Sequence, residues 1–115
     1  MAIRIEHVGD VAIVNADGMF TGGEETTEFA TALINLIDGN QPKILLDLSE
    51  TRLMLSLAIG ALVDSHVRAA ERGVLFYVCE TRPALKKVFE TIQIQSQLLH
   101  YFDSRDEALK ALQEH

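Results

Sequence analysis

Ile3-Arg-Ile-Glu-His-Val8, then Gly9-Asp10, then Val11-Ala-Ile-Val-Asn-Ala16: with this opening stretch the chain begins its sheet. Its first six residues alternate apolar and polar side chains, the pattern of a strand with one wet face. After a two-residue loop suited to a type I′ or II′ turn, the chain becomes almost continuously apolar, as a strand covered on both faces does. The stretch therefore predicts an antiparallel hairpin, half exposed on its first strand and buried on its second.

Two later runs repeat the buried-strand signature. Ile44-Leu-Leu-Asp-Leu48 and Val74-Leu-Phe-Tyr-Val-Cys79 are short, continuous and rich in strand-forming residues. A helical pattern precedes each. The first starts near Glu24, whose acidic neighbour Glu25 suits the positive end of a helix, and stops at Gly39; Phe29, Leu33, Leu36 and Ile37 form its apolar stripe. The second is expected from Ser56 to Gly73, with Ile59, Leu62, Val63, Val67 and Ala70 inward and Asp64, Arg68 and Glu71 in water. Pro83 suits the first position of a third helix, with Leu85, Val88, Phe89 and Ile92 inward. Leu98 to Phe102 reads as a last short strand. Ser104 and Glu107 then make a capping box for a final helix that packs through Leu109 and Leu112.

Strands separated by helices are most simply parallel and joined by right-handed crossovers. The expected class is α/β: a single domain over 1–115 with a mixed central sheet, an antiparallel hairpin at its start and about four helices. At 115 residues the chain is too short for two ordinary domains, and with 48% hydrophobic residues it can fill one core.

Ten Lys+Arg against seventeen Asp+Glu give a formal charge of -7, which repels phosphate backbones and argues against nucleic acid as a partner. The first residues carry charges where a secretory signal needs an apolar core. The longest uncharged apolar segment, Leu53 to Val63, is about half the roughly 20 residues that span a bilayer, so no membrane insertion is expected. Cys79 is the only cysteine and sits in an apolar run; it reads as a buried small hydrophobe in a reducing, cytoplasmic setting.

Catalytic signatures are missing from the sequence. His7, His66, His100, His115 and Cys79 share no metal-ligand spacing, and His66 reads as a solvated side chain. Gly18, Gly22 and Gly23 match no phosphate-binding pattern and read as turn residues. Ser56 lies outside any nucleophile-elbow context. No enzyme activity, cofactor or metal is expected. A small-ligand binder using the crevice at the carboxyl ends of the parallel strands is a minor alternative, because few polar residues are available there.

The informative segment is Leu48-Ser-Glu-Thr-Arg-Leu-Met-Leu-Ser56-Leu-Ala-Ile-Gly60. A buried strand ends, a loop follows, and a helix opens at a hydroxyl residue. Ser56 as a plain N-cap would contribute about 1 kcal/mol. A phosphate at that helix end would add about −1.5 to −2 charge beside free amides and change what docks there. Arg52 is near enough in sequence to pair with it. Leu53, Met54, Leu55 and Leu57 give this loop more large apolar side chains than a solvated turn needs, and those that stay exposed would form a docking patch.

The chain resembles the STAS domain family, which includes bacterial anti-sigma factor antagonists and the cytoplasmic tails of sulphate transporters. The resemblance covers nearly the whole chain. It rests on Gly9-Asp-Val-Ala-Ile-Val14 with Asp17-Gly-Met-Phe20, on Ile44-Leu-Leu-Asp-Leu-Ser49, and on Ser56-Leu-Ala-Ile-Gly-Ala-Leu62. Ala70-Glu-Arg-Gly73, Arg82-Pro-Ala-Leu-Lys-Lys-Val-Phe89 and Phe102-Asp-Ser-Arg-Asp-Glu-Ala-Leu109 extend it.

The resemblance implies a regulator in signal transduction and transcription that binds an anti-sigma factor, itself a serine kinase, with a serine phosphatase reversing the switch. Such relatives carry Asp-Ser-Ser-Gly-Leu-Gly at the second helix. Aligned with Leu55-Ser-Leu-Ala-Ile-Gly60, that motif makes Ser56 the phosphoacceptor position. Here the motif aspartate is Leu55, its second serine is Leu57 and its first glycine is Ala58, while Thr21 stands where a Gly-x-Leu-Asp turn would place another acid. Thr21, Met54, Leu55, Ser56, Leu57 and Ile59 are the expected partner contacts. The alternative is an unphosphorylated STAS subunit, docked on a regulatory ATPase in a larger signalling or lipid-transport assembly. A weak homodimer is also compatible with the resemblance.

Overall fold

The structure is a computed structural model that describes residues 2–83, 85–87 and 100–115. Its opening hairpin follows the sequence pattern. Strand β1 (Ile3–Val8) is mostly exposed or half-exposed, and β2 (Val11–Ala16) is buried everywhere except at Asn15. Of the two loop residues only Gly9 takes a positive φ, 59°. A lone left-handed residue at the first position is what a type II′ turn requires.

Beyond the hairpin come β3 (Gly18–Phe20), α1 (Glu24–Asp38), β4 (Lys43–Asp47), β5 (Thr51–Met54), α2 (Ser56–Glu71), β6 (Leu75–Cys79), β7 (His100–Phe102) and α3 (Arg105–Gln113). A further helical segment opens at Pro83 and includes residues 85–87, with Leu85 buried. Val88, Phe89 and Ile92, expected on its inner face, lie outside the described residues, as do Leu98 and Leu99 before β7.

The main sheet runs β1-β2-β4-β6-β7, antiparallel at β1–β2 and parallel at every other pairing. Alternation along the central strands divides the core in two. Val14, Ala16, Ile44, Leu46, Phe76 and Val78 pack under α1 and α2, whereas Val11, Ile13, Leu45, Tyr77 and Cys79 pack under Ala108 and Leu112 of α3. Both faces of β2, β4 and β6 are therefore dry, which is why those strands read as unbroken apolar runs. Leu109 packs at the margin of the second cluster. Cys79 is fully buried, and burial, reinforced by the charges of Asp47 and Glu80, pushes its thiol pKa well up, so it stays a protonated hydrophobe.

The capping box forms on one side only: Ser104 Oγ accepts the Glu107 amide at 3.1 Å, while the Arg105 amide is taken by Glu80 Oε2 at 3.1 Å. The Arg105 guanidinium reaches Glu6, Asp47 and Asn15 and ties α3 to three strands.

Two expectations change. The inward stripe of α2 is Ala58, Leu62, Ser65 and Ala69, one position from the expected one; Val67 is 45% exposed and Ala70 is exposed, with Ile59 and Val63 at the margin. Three of those four side chains are small, which suits a helix packed directly on a sheet. The helix also ends at Glu71, two residues before Gly73, whose φ of 71° turns the chain into β6.

His66 is not a freely solvated side chain. It is half-buried, its ring stands edge-on to Phe76 with centroids 6.5 Å apart, and its Nδ1 is buried without a hydrogen-bond partner. Burial first, and the facing His100 ring second, lower its pKa below the ordinary 6.5. Between the folded and unfolded pKa values the unfolded chain binds more protons, so stability rises with pH through that interval. The contribution is complete above about 6.5 and is lost as pH falls through that value toward the folded one. Urea unfolding midpoints are expected to drop between pH 7.5 and 5.5, and His66→Leu to flatten that drop. An undiminished pH dependence in the variant would assign it to another group.

Candidate functional site

The chain leaves the carboxyl ends of β2 and β4 and forms a second, two-stranded parallel sheet from β3 and β5, in place of the single loop expected between β4 and α2. Thr51 anchors it from below: fully buried, its hydroxyl donates to the Ala16 carbonyl at 2.6 Å, and the Gly18 amide donates to the Glu50 carbonyl at 3.0 Å. Phe20 and Met54 form an opposed pair that points inward, 0% and 2% exposed, with Phe20 against Phe29 of α1 at 5.3 Å between ring centroids. The other opposed pair, Met19 and Leu53, points outward, 51% and 37% exposed.

Helix α2 starts where β5 ends. The Leu55 amide donates to the Phe20 carbonyl at 2.9 Å, and the Leu55 carbonyl accepts from Ala58 and Ile59, each at 3.0 Å. Leu55 is thus the N-cap, with extended dihedrals and no side-chain cap, and Ser56 is the first helical residue. The reading of Ser56 as N-cap is corrected accordingly. Its hydroxyl is free of a capping role and its side chain is exposed.

Leu55 and Leu57 flank it at 46% and 70% exposure. Leu57 also leans on the neighbouring loop: a Cβ placed on Gly22 would lie 3.3 Å from its Cδ1, and Gly22 holds φ at 106°. That loop is stiff. Glu25 Oε1 accepts from the Thr21 amide and hydroxyl and from the Gly23 amide, while Thr26 Oγ1 accepts from the Gly22 amide at 2.8 Å. Bonds from its own backbone amide and then from Thr21 hold the Glu25 carboxyl below its ordinary pKa.

Of the expected contacts, Thr21, Leu55, Ser56 and Leu57 are exposed on adjoining segments and Ile59 is half-buried one turn along α2. Met54 is not at the surface: the inward register of β5 buries it beneath the patch, so its role is support. Sequence reading does not single out Met19, which joins the patch only because β3 and β5 pair.

A separate cavity, lined by His66, Ala70, Gly73, Val74, Leu75, Phe76 and His100, adjoins the amino end of β6 and lies away from this tip. Among the described residues no cluster of three or more His, Cys, Asp or Glu could hold a metal ion, and no helix is long and apolar enough to cross a membrane.

Comparison with known proteins agrees with this architecture. The family model for the STAS domain matches residues 2–108. An anti-sigma factor antagonist from Mycobacterium paratuberculosis superposes with a TM-score of 0.83 at 18% identity, over 96% of this chain and 92% of that one. An anti-sigma-factor antagonist (STAS) domain protein from Planctomyces limnophilus gives 0.81 at 24% identity, over 96% and 97%. The Bacillus cell fate determinant SpoIIAA in its phosphorylated form gives 0.75 at 13% identity, over 96% and 98%. At these identities the likeness is one of fold. No curated protein sequence matches the chain. With the family model covering almost its full length and the mixed sheet in place, the chain belongs to the STAS domain family.

Proposed function

We propose that this protein is a non-enzymatic regulatory module that docks an anti-sigma factor, or a related regulatory ATPase, through the Thr21 loop and the start of α2. The observation that carries the reading is the exposed run Leu55-Ser56-Leu57, with Met19 and Leu53 beside it, on a framework whose inner residues are all buried. Isolated surface leucines need no explanation, but four large apolar side chains on the paired strands β3 and β5 and the adjoining start of α2 make a patch of the kind used for protein contacts. Solved relatives of the same fold bear the name anti-sigma factor antagonist, and one of them is a phosphorylated form.

Ser56 is the candidate switch. It lies in the first turn of α2, where no acidic residue already occupies the positive helix end. A phosphate there would be held by free amides and would place a dianion between two leucines, favouring the fold and opposing an apolar partner. Incubation with the cognate serine kinase and ATP, read by intact mass and peptide mapping, is expected to add one phosphate at Ser56, to be removed by a serine phosphatase. Modification at another residue, or none, would remove Ser56 from this role.

A second reading is favoured by the same leucines. Leu55 and Leu57 stand where the family motif carries polar residues, and their exposure suits an unphosphorylated subunit held permanently in a larger assembly. In both readings the working setting is the cytoplasm.

A further inference from the structure

We propose that the free edge of β1 is a self-complementary surface at which two copies of this chain pair antiparallel about Ile5, joining their sheets. β1 is the outermost strand of the main sheet. Which of its backbone groups face outward follows from the hairpin. In a two-residue loop the closing pair, Val8 with Val11, exchanges hydrogen bonds, and bonded pairs alternate back along the ladder. Glu6 and Arg4 therefore turn their amides to β2, and Ile3, Ile5 and His7 turn theirs away. Two contacts agree: the Ala2 carbonyl accepts from the Asp17 amide at 2.7 Å across the hairpin, and the Ile3 amide donates outward to Glu28 Oε1 at 2.9 Å. Among the described residues nothing bonds the outward amides of Ile5 and His7 or the outward carbonyls of Ile3, Ile5 and His7.

An unpaired edge is a template for another strand, and charges on it ordinarily discourage pairing. Here the charges choose one partner and one register. Two antiparallel copies must oppose outward residues with outward residues, and only a two-fold at Arg4, Ile5 or Glu6 makes more than one such pair within β1. Centred on Arg4 or Glu6, it sets like charges directly opposite. Centred on Ile5, it sets Ile5 against Ile5, Ile3 against His7 and, twice, Arg4 against Glu6, the favourable cross-strand arrangement. Ile5 is 40% exposed and Arg4 and His7 are exposed, so these side chains are open to a partner. Glu6 is half-buried and already joined through Oε1 to Arg105, which fixes where its charge sits. The bonds formed are two between the Ile5 pair and four across the two Ile3–His7 pairs, in which each Ile3 amide exchanges the Glu28 carboxylate for the facing His7 carbonyl, a net gain of four. So short a contact belongs to the weak interfaces that bury less than about 1,200 Å².

Sedimentation equilibrium of the full chain from about 10 μM to about 1 mM covers the affinities of such weak interfaces. Reversible dimerisation is expected in the native sequence. Arg4→Glu and Glu6→Arg should each weaken it at least about tenfold by opposing like charges. An equimolar mixture of the two variants should recover it. The carboxylate introduced at position 4 of one copy then faces the guanidinium introduced at position 6 of the other, and the second contact keeps its native Arg4 and Glu6. Ile5→Lys, a change at an exposed position, should also weaken it. Amide exchange gives an independent readout: Ile5 and His7 should become protected at high concentration, with Arg4 and Glu6 protected throughout. A protein monomeric over the whole range, a dimer indifferent to these substitutions, or a mixture that stays monomeric would overturn the proposal.

Discussion

Phe29→Ala is expected to destabilise the fold by about 3–5 kcal/mol, a large part of the 5–15 kcal/mol that holds a domain of this size together. Phe29 is fully buried at the centre of the α1 stripe, between Thr26 and Leu33, and its ring meets that of Phe20. The side chain is large, and its surroundings combine a sheet and two helices, which collapse poorly into the space it would leave. At about 4 °C per kcal/mol the thermal midpoint should fall by roughly 10–20 °C. The damage should spread to the site as well. Phe20 lies over the vacated space, and its carbonyl holds the Leu55 amide, so amide exchange at Leu55 should accelerate more than at Val14 on the central strand. Ile34→Ala on the same helix, at a position 36% exposed, is the control and should cost well under half as much. Equal losses from the two substitutions, in urea melts followed by circular dichroism, would place the core elsewhere.

The contrast between these positions also marks what the sequence made legible. The α1 stripe, the hairpin and strands β2, β4 and β6 are visible because one physical cause dominates each: an apolar face at helical period, a glycine in a two-residue turn, or dryness on both sides of a strand. β3 and β5 are hidden for the opposite reason. Each is three or four residues long, the register shifts between Gly18 and Met19, and Thr51–Met54 is buried only at its two ends, so period-two alternation never appears. That one irregularity decides the surface, because it turns Met54 in and Leu53 out and brings Met19 into the patch. On α2 two adjacent stripes compete, one of large residues through Ile59, Val63 and Val67 and one of small ones through Ala58, Ser65 and Ala69. Hydrophobicity favours the first, but the helix buries the second, and which stripe turns inward is a property of the packed pair that a single sequence does not display. The opening of α2 at Ser56 was legible from its place after a strand and loop; its lack of a capping role was not, because a leucine at the N-cap leaves no polar signal.

Leu55→Asp should separate docking from stability by moving them in opposite directions. Leu55 has the extended dihedrals of an N-cap and supplies no side-chain acceptor, and the first turn that follows lacks an acid. A carboxylate there can accept from an amide in that turn and meet the positive helix end, a gain of about 1 kcal/mol in fold stability. The same carboxylate replaces a leucine 46% exposed at the middle of the patch. Buried against an apolar partner it would lose its hydration without a counter-charge, and loss of a central contact of this kind costs about 2 kcal/mol or more, about 30-fold in affinity. A thermal midpoint raised by a few degrees together with a Kd weakened about 30-fold is therefore the expected result, measured by thermal melts and by calorimetric titration against the anti-sigma factor proposed as partner. Leu57→Asp should weaken binding similarly, since its side chain is the most exposed of the patch. Ser56→Ala then distinguishes the two readings of function. An unchanged Kd with loss of phosphorylation assigns the hydroxyl to switching alone, an unchanged Kd in a protein the kinase never modifies assigns the site to a permanent assembly, and a loss equal to that of Leu55→Asp makes the hydroxyl itself a contact. Full affinity retained by both leucine variants would show that the partner grips another face, because no protein contact centred on these side chains tolerates a bare carboxylate in their place.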